Sequence, residues 1–272
     1  MGGILSDRQI KSRCIKPSFR LAVAGGEYEW VIPGVTHSVD QIDAWVKRGY
    51  SRLVKVTEED LAELNWKPMI EPYVPELVRH VTNVALSSQE IADDNREVFR
   101  DAIAVKKQRI ISYGQSSYGY DIRIKREGIK LFSNVRGGVV DPMRNYAEQL
   151  QDAQIFIDEE FDLPYFILPP NTVALAHTVE AFSIPRNILV TCLSKSTYAR
   201  VGLSQLCTPL EPEWEGELVL EIASMTNLPT RVYVGTGIAQ LIFLIGDEPC
   251  EISYKDRDGK YQGQRGTTLA RV

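Results

Sequence analysis

The sequence of 272 residues contains no apolar run long enough to cross a bilayer as a helix, which takes about 20 residues. Its opening, Met1-Gly2-Gly3-Ile4-Leu5-Ser6-Asp7-Arg8, turns polar too soon for a secretory leader. Histidine is scarce, with only His37, His80 and His177. No His or Cys stands beside a glutamate ahead of a Cys-x-x-Cys pair, so a zinc-activated water is not expected. The four cysteines, Cys14, Cys192, Cys207 and Cys250, are too scattered for a metal knuckle, and they read as reduced thiols of a cytoplasmic protein. A P-loop lysine motif, a nucleophile elbow and a dinucleotide fingerprint are all missing. There is no surplus of positive charge either: the formal net charge is -5. A duplex nucleic-acid partner is thereby disfavoured, whereas a small anion held by a few local cations is not.

What is there divides by texture. Up to about residue 105 the signals are helix-like. Ser38 to Lys47 places Ile42, Trp45 and Val46 on one face behind a Ser38 cap. Thr57 to Asn65 has Asp60 three residues after a Thr57 cap. A third helix is expected from Ser87 or Ser88 to about Val105, with Ile91, Val98 and Ile103 apolar. Pro68, Pro72 and Pro75 separate the second from the third. From Ile110 onward short β-rich runs alternate with Pro and Gly: Thr172–Ala176, Ile188–Leu193, Leu218–Ala223, Arg231–Val234 and Ile238–Ile245. Such spacing predicts a mainly β fold of sandwich, jelly-roll or barrel type.

Three segments carry candidate chemistry. Ile188–Leu193 runs into Ser194-Lys195-Ser196-Thr197-Tyr198-Ala199-Arg200, and a helical turn there sets Ser196 and Arg200 on one face. Lys195, Arg200 and free backbone N–H groups suit a phosphate; a capped helix start with two solvated cations is the plainer reading of the pattern taken alone. In Glu217–Ala223, alternation puts Leu218, Leu220 and Ile222 on one face and Val219, Glu221 and Ala223 on the other. If the second face is covered, burial raises the Glu221 pKa towards a value useful for moving protons. If it is open, Glu221 is a solvated strand residue. The run from Ser253 to Gly266 is rich in glycine, tyrosine and cations. It is either a flap able to close over a polyphosphate or a solvated terminus.

Together these segments resemble the dCTP deaminase family, a branch of the trimeric dUTPase-like superfamily. The resemblance runs from Ile111 to Val272. It rests on Ser112-Tyr113-Gly114-Gln115-Ser116-Ser117-Tyr118-Gly119-Tyr120-Asp121-Ile122-Arg123, Lys195–Arg200, Glu211-Pro212-Glu213-Trp214-Glu215-Gly216, Leu220-Glu221-Ile222 and the tail from Tyr254 to Gly266. Gly3–Asp7 and Met69-Ile70-Glu71-Pro72 are also similar to the family's early segments. The resemblance implies a distorted jelly roll of the dUTPase-like (β-clip) kind, with additional N-terminal helices. It implies a homotrimer with active sites at subunit boundaries, converting dCTP to dUTP. Glu221 matches the glutamate that activates water, and Ser196 and Arg200 match residues that hold the water and steady the site. Lys195, Thr197, Tyr198, Ala199, Val219, Leu220, Gln240, Tyr254, Lys260 and Gln264 fall at nucleotide-binding positions. Mg²⁺ is expected only as the companion of the triphosphate, without zinc and without metal ligands from the chain.

Two insertions, about 14–66 and 80–105, depart from the family pattern and make residues 1–105 an N-terminal region ahead of a core at 106–272. Ala223-Ser224 stands where Ser-Asn is more usual, and Ser204-Gln205-Leu206-Cys207 where a more apolar, β-branched stretch is usual, which leaves a modified cytosine open as substrate. Two rivals compete with plain deamination. One is a bifunctional enzyme, or a dUTP pyrophosphatase alone, for which Glu211 stands where an aspartate would activate water. The other is a non-catalytic nucleotide-binding regulator that uses the inserted helices.

Overall fold

Alternation of apolar and polar residues sets the architecture. In the strand Glu215–Ser224, Leu220 and Ile222 are fully buried on one face while Glu221 and Ala223 sit on the other. A computed structural model describes residues 3–16, 19–22, 28–31, 53–55, 57–63, 66–86, 103–132, 138–206 and 208–272. In chain order its elements are β1 (Gly3–Ile4), α1 (Asp7–Cys14), β2 (Phe19–Ala22), β3 (Tyr28–Val31), β4 (Leu53–Lys55), α2 (Glu58–Glu63), β5 (Ile70–Glu71), β6 (Leu77–Leu86), β7 (Ile103–Ser116) and β8 (Gly119–Arg123). There follow β9 (Lys130–Phe132), β10 (Leu150–Asp152), β11 (Ile155–Asp158), β12 (Leu163–Leu168), β13 (Val173–Ser183) and β14 (Ile188–Ser194). The last are α3 (Ser196–Ala199), β15 (Leu203–Gln205), β16 (Glu215–Ser224), β17 (Thr230–Tyr233) and β18 (Gly237–Ile245).

The mainly β fold expected is the fold observed. One sheet runs β1-β18-β8-β7-β6 with β14 on the far side of β18; a second runs β10-β9-β13-β16-β15 with β5 on β13. Smaller sheets are β11-β12-β17 and β3-β2-β4. The inward faces share one core, in which Tyr120, Ile122, Leu241 and Phe243 of the first sheet join Ala174, Ala176, Leu220 and Ile222 of the second. Fully burying each leucine, isoleucine or phenylalanine among them contributes roughly 1.5–3 kcal/mol. The strands expected at 172–176, 188–193, 218–223, 231–234 and 238–245 correspond to β13, β14, β16, β17 and β18.

The N-terminal helices differ from expectation. α1 is not among the expected helices; the Ser6 N–H donates to Oε1 of Gln9 at 3.0 Å across its first turn, and Ile10 and Cys14 turn into the core. α2 lies within the expected Thr57–Asn65 span. The helix expected over Ser38–Lys47 lies outside the described residues, as does most of the one from Ser87 or Ser88 to Val105. The end of the latter is corrected: Ile103, Ala104 and Val105 are strand, opposite Leu86, Ala85 and Val84 in the antiparallel β6–β7 pair. β-branched residues alternating with small ones satisfy that ladder as well as a helix period, and the partner strand decides between them.

Candidate active site

Glu221 lies directly opposite Leu175 on β13, and its own carbonyl accepts the Leu206 N–H at 2.9 Å from the other side. The strand is therefore held on both edges, which fixes where the carboxyl points. Val219, one pleat away on the same face, packs with Leu175, Leu150 and Tyr146 in a small cluster separate from the main core. The face carrying Glu221 is thus covered. It opens on a cavity of about 520 Å³, within the usual range for small-molecule sites. Burial pushes the Glu221 carboxyl up to about 7, and no ion pair to it occurs among the described residues. A carboxyl so placed is ionised in part near neutrality and can both take and return a proton.

The C-terminal run forms the opposite wall. It is docked rather than frayed: Gln264 makes a parallel bridge to Gly216, its carbonyl accepts the Glu217 N–H at 3.0 Å, and its Nε2 donates to the Glu217 carbonyl at 2.8 Å. Behind it, the Glu217 carboxylate accepts from the Gly266 N–H at 2.8 Å and from Lys125 Nζ at 2.7 Å. Those bonds and the adjacent cation hold Glu217 below the ordinary carboxylate pKa even though burial opposes them. Trp214 Nε1 donates to the Tyr261 carbonyl at 3.0 Å, and the Tyr254 hydroxyl accepts the Tyr261 N–H at 3.0 Å. Tyr254, Lys260 and Gln264 consequently line the cavity with Val219 and Glu221. Lys260 Nζ donates to the Arg271 carbonyl at 2.6 Å, so within one chain its charge is turned to the tail. Leu220 faces the core, away from Glu221.

The segment after β14 forms a second group that lines no part of this cavity. Ser196, Thr197, Ala199 and Arg200 are exposed, with Arg200 Nη1 donating to the Ser196 carbonyl at 3.0 Å. The helical turn expected there is present. Tyr198 is buried instead, its hydroxyl accepting the Tyr233 N–H at 2.9 Å, and burial raises its pKa. Lys195 points inward and donates to Asp121 Oδ2. Gln240 stands opposite Asp121 in the β8–β18 register. Burial raises the Asp121 pKa, opposed chiefly by Lys195. Gly237 permits this arrangement: a Cβ there would lie 1.8 Å from the Ser112 carbonyl oxygen and 3.2 Å from Lys195 Cε.

Sequence reasoning missed several lining residues. Phe132 and Tyr146, stacked with centroids 6.0 Å apart, and Thr268, Leu269 and Ala270 of the tail all border the Glu221 cavity. Leu206, more than half exposed at 57%, lines it too. No signal in the sequence pairs these two aromatics. Asp121 belongs to the Ser112–Arg123 motif, but nothing in that motif reveals it as the partner of Lys195. Glu211 borders the same cavity and lies 3.7 Å from Arg257. Of the departures noted, Cys207 lies outside the described residues, and no group of three or more His, Cys, Asp or Glu side chains able to hold a metal occurs among those described.

Comparison with known proteins adds to the geometry. Residues 85–245 match the family model described as dCTP deaminase-like. The chain is 55% identical over 165 residues to a dCTP deaminase of Acinetobacter baumannii, covering 61% of this chain and 82% of the relative. It is 49% identical over 204 residues to a dCTP deaminase of Pseudomonas paraeruginosa, covering 75% and 91% respectively. Among solved structures, the 2'-deoxycytidine 5'-triphosphate deaminase from Agrobacterium tumefaciens is similar with a TM-score of 0.36 and 16% identity, over 48% of this chain and 40% of that one. No helix of the described residues is long and apolar enough to cross a membrane.

Proposed function

Since this chain belongs to the dCTP deaminase-like family, we propose that its reaction, hydrolysis of dCTP to dUTP and ammonia, is carried by Glu221. The observation that carries this reading is a carboxyl raised to about 7 on the wall of a cavity of nucleotide size. The ionised Glu221 takes a proton from water as the water oxygen bonds to C4 of cytosine. The protonated Glu221 then gives that proton to the amine nitrogen and the C4–N bond breaks, releasing ammonia; the proton left on the new C4 hydroxyl moves to N3 and C4 becomes a carbonyl. One carboxyl serves in both directions because its pKa lies close to neutrality. Removal of water by the docked tail strengthens each of these contacts.

Ser196 and Arg200 complete the site from another copy of the chain. Support comes from their exposure on a segment that borders no part of the Glu221 cavity, and from the apolar side chains around them. Leu193 and Val201 flank that segment at 52% and 50% exposure, and Leu206 at the cavity mouth is similarly uncovered. Apolar side chains grouped this way favour association. A head-to-tail ring of copies would bring one chain's Ser196 and Arg200 to the next chain's Glu221, and three copies close such a ring. The tail residues Tyr254, Lys260 and Gln264, with Lys195, Thr197 and Gln240, then contact the nucleotide. Mg²⁺ enters on the triphosphate oxygens; the chain's own share is its cations and hydroxyls.

The test is incubation with dCTP and Mg²⁺, with nucleotides resolved by anion exchange and ammonia assayed alongside. Equal amounts of dUTP and ammonia are expected, formed about 10²–10⁴-fold more slowly by Glu221→Gln. Because Glu211 borders the same cavity, pyrophosphate is measured in the same samples; dUMP with pyrophosphate would assign a second hydrolysis to this site. Ammonia release unchanged in Glu221→Gln would overturn the mechanism.

A further inference from the structure

A second cavity, also about 520 Å³, lies where the β6–β7 ladder loses its regular pairing. Val78 stands opposite Tyr113 and His80 opposite Arg109, so one residue of β6 faces three of β7 between them. Such a bulge breaks the alternation of side chains. The consecutive residues Arg109, Ile110, Ile111 and Ser112 all border the one cavity, together with Arg79 and His80. A regular strand would have sent half of them to the other face.

The cavity has two distinct walls. Ile110, Ile111, Phe161 and Leu163 make an apolar one. Arg79, His80 and Arg109 make a basic one, with the hydroxyls of Ser112 and Thr197 beside it. No aspartate or glutamate borders the cavity, and among the described residues neither guanidinium has an ion-pair partner. The other cations nearby are already engaged: Lys195 with Asp121, and Arg231 with Asp158 at 2.8 Å. Two unpaired guanidiniums converging on a cavity are planar, multiply donating groups suited to phosphate oxygens. The apolar wall suits a base or sugar.

We propose that this cavity is a polyphosphate site, in which Arg79 and Arg109 grip the phosphates of a nucleotide and His80, Ser112 and Thr197 add donors. The phosphates have two possible sources. They belong either to the dCTP whose base lies at Glu221 of an adjoining copy, or to a separate nucleotide held here in its own right. Only the first source rests on the deaminase reading.

The experiment is calorimetric titration of sodium tripolyphosphate into the full chain and into Arg79→Gln/Arg109→Gln, with deamination kinetics on both. Each lost charge-assisted contact corresponds to about tenfold or more in affinity, so the double variant is expected to bind tripolyphosphate at least about tenfold more weakly. A parallel rise in KM for dCTP with kcat retained assigns the phosphates to the substrate. Weakened tripolyphosphate binding with KM unchanged assigns them to a separate nucleotide. Tripolyphosphate affinity unchanged in a variant with an unaltered far-ultraviolet spectrum overturns the proposal. Should the double variant not fold, Arg109→Gln alone, at an exposed position, is read in the same way. Ammonia release by the wild-type chain reports separately on the deaminase reading.

Discussion

Replacing Glu221 by Gln should make the protein inactive and, above neutral pH, more stable. The Glu221 carboxyl is lifted from an ordinary 4.5 to about 7 by burial, so its ionised form is disfavoured in the fold. At about 1.4 kcal/mol per tenfold change in proton affinity, the difference is worth about 3 kcal/mol at most. The sign follows from proton binding. Between pH 4.5 and about 7 the folded chain keeps a proton that the unfolded chain has released, so stability falls as pH rises through that interval and levels off above it. The Glu221→Gln variant, with no proton to release, would lack this loss. Near pH 5 the variant should differ little from wild type; at pH 8 it should be more stable by up to about 3 kcal/mol, or about 6–12 °C in melting temperature. Urea denaturation at both pH values, at one fixed protein concentration, measures the difference. Activity should fall by about 10²–10⁴-fold, the usual contribution of a general acid or base. A stability difference that did not change between pH 5 and pH 8 would refute the assignment of a raised pKa to Glu221, whatever the activity showed.

Wild-type kcat/KM for dCTP should climb through about pH 7 as Glu221 ionises, and a profile flat from pH 5 to 8 would contradict that role. Mixing Arg200→Ala with Glu221→Gln, each inactive alone, should restore about one quarter of the sites under random assortment in a head-to-tail ring; no recovery after demonstrated subunit exchange would place Arg200 and Glu221 in the same chain's site. Lys195→Met leaves the Asp121 carboxylate buried without its cation and should cost about 3–5 kcal/mol at neutral pH. Adding Asp121→Asn should restore much of that loss, as measured by denaturation. Gly237→Ala forces a Cβ against the Ser112 carbonyl oxygen and should cost at least about 1–3 kcal/mol; an unchanged melting temperature would show that the β18 backbone yields freely there.

How much of this is legible in the sequence depends on the range of the interactions involved. The faces of β16 are legible because period-two alternation is local: Leu220 and Ile222 can be set against Glu221 from seven residues alone. Whether Glu221 is wet or covered is not legible, since the cover comes from Tyr146 and Leu150, far off in the chain, and from Leu175 across the ladder. The tail poses the same problem. Its glycines and polar side chains fit a frayed end as well as a flap, and what docks it is long-range pairing of Gln264 with Gly216 and Glu217. The strand at Ile103–Val105 reads as the end of a helix because its partner, Leu86 to Val84, precedes it across a segment without a clear turn signal.

The same dependence on range bears on the proposed division of the catalytic constellation between copies. Glu221 and the tail are assembled by contacts within one chain, and each of their positions is held by backbone bonds that the fold requires anyway. Ser196 and Arg200 are placed just as firmly, on a helical turn pinned beneath by buried Tyr198 and its bond to the Tyr233 N–H. Yet their side chains project outward beside Leu193 and Val201. Two exposed polar side chains held in this way above a buried tyrosine are open to a neighbouring copy, as the proposed division requires. A reaction divided across copies makes activity depend on assembly, so dilution below the association constant should extinguish deamination before it unfolds the protein. Specific activity measured against protein concentration, with light scattering on the same samples, tests this directly: the two curves should fall together, and constant specific activity in demonstrated monomers would return Ser196 and Arg200 to a structural role.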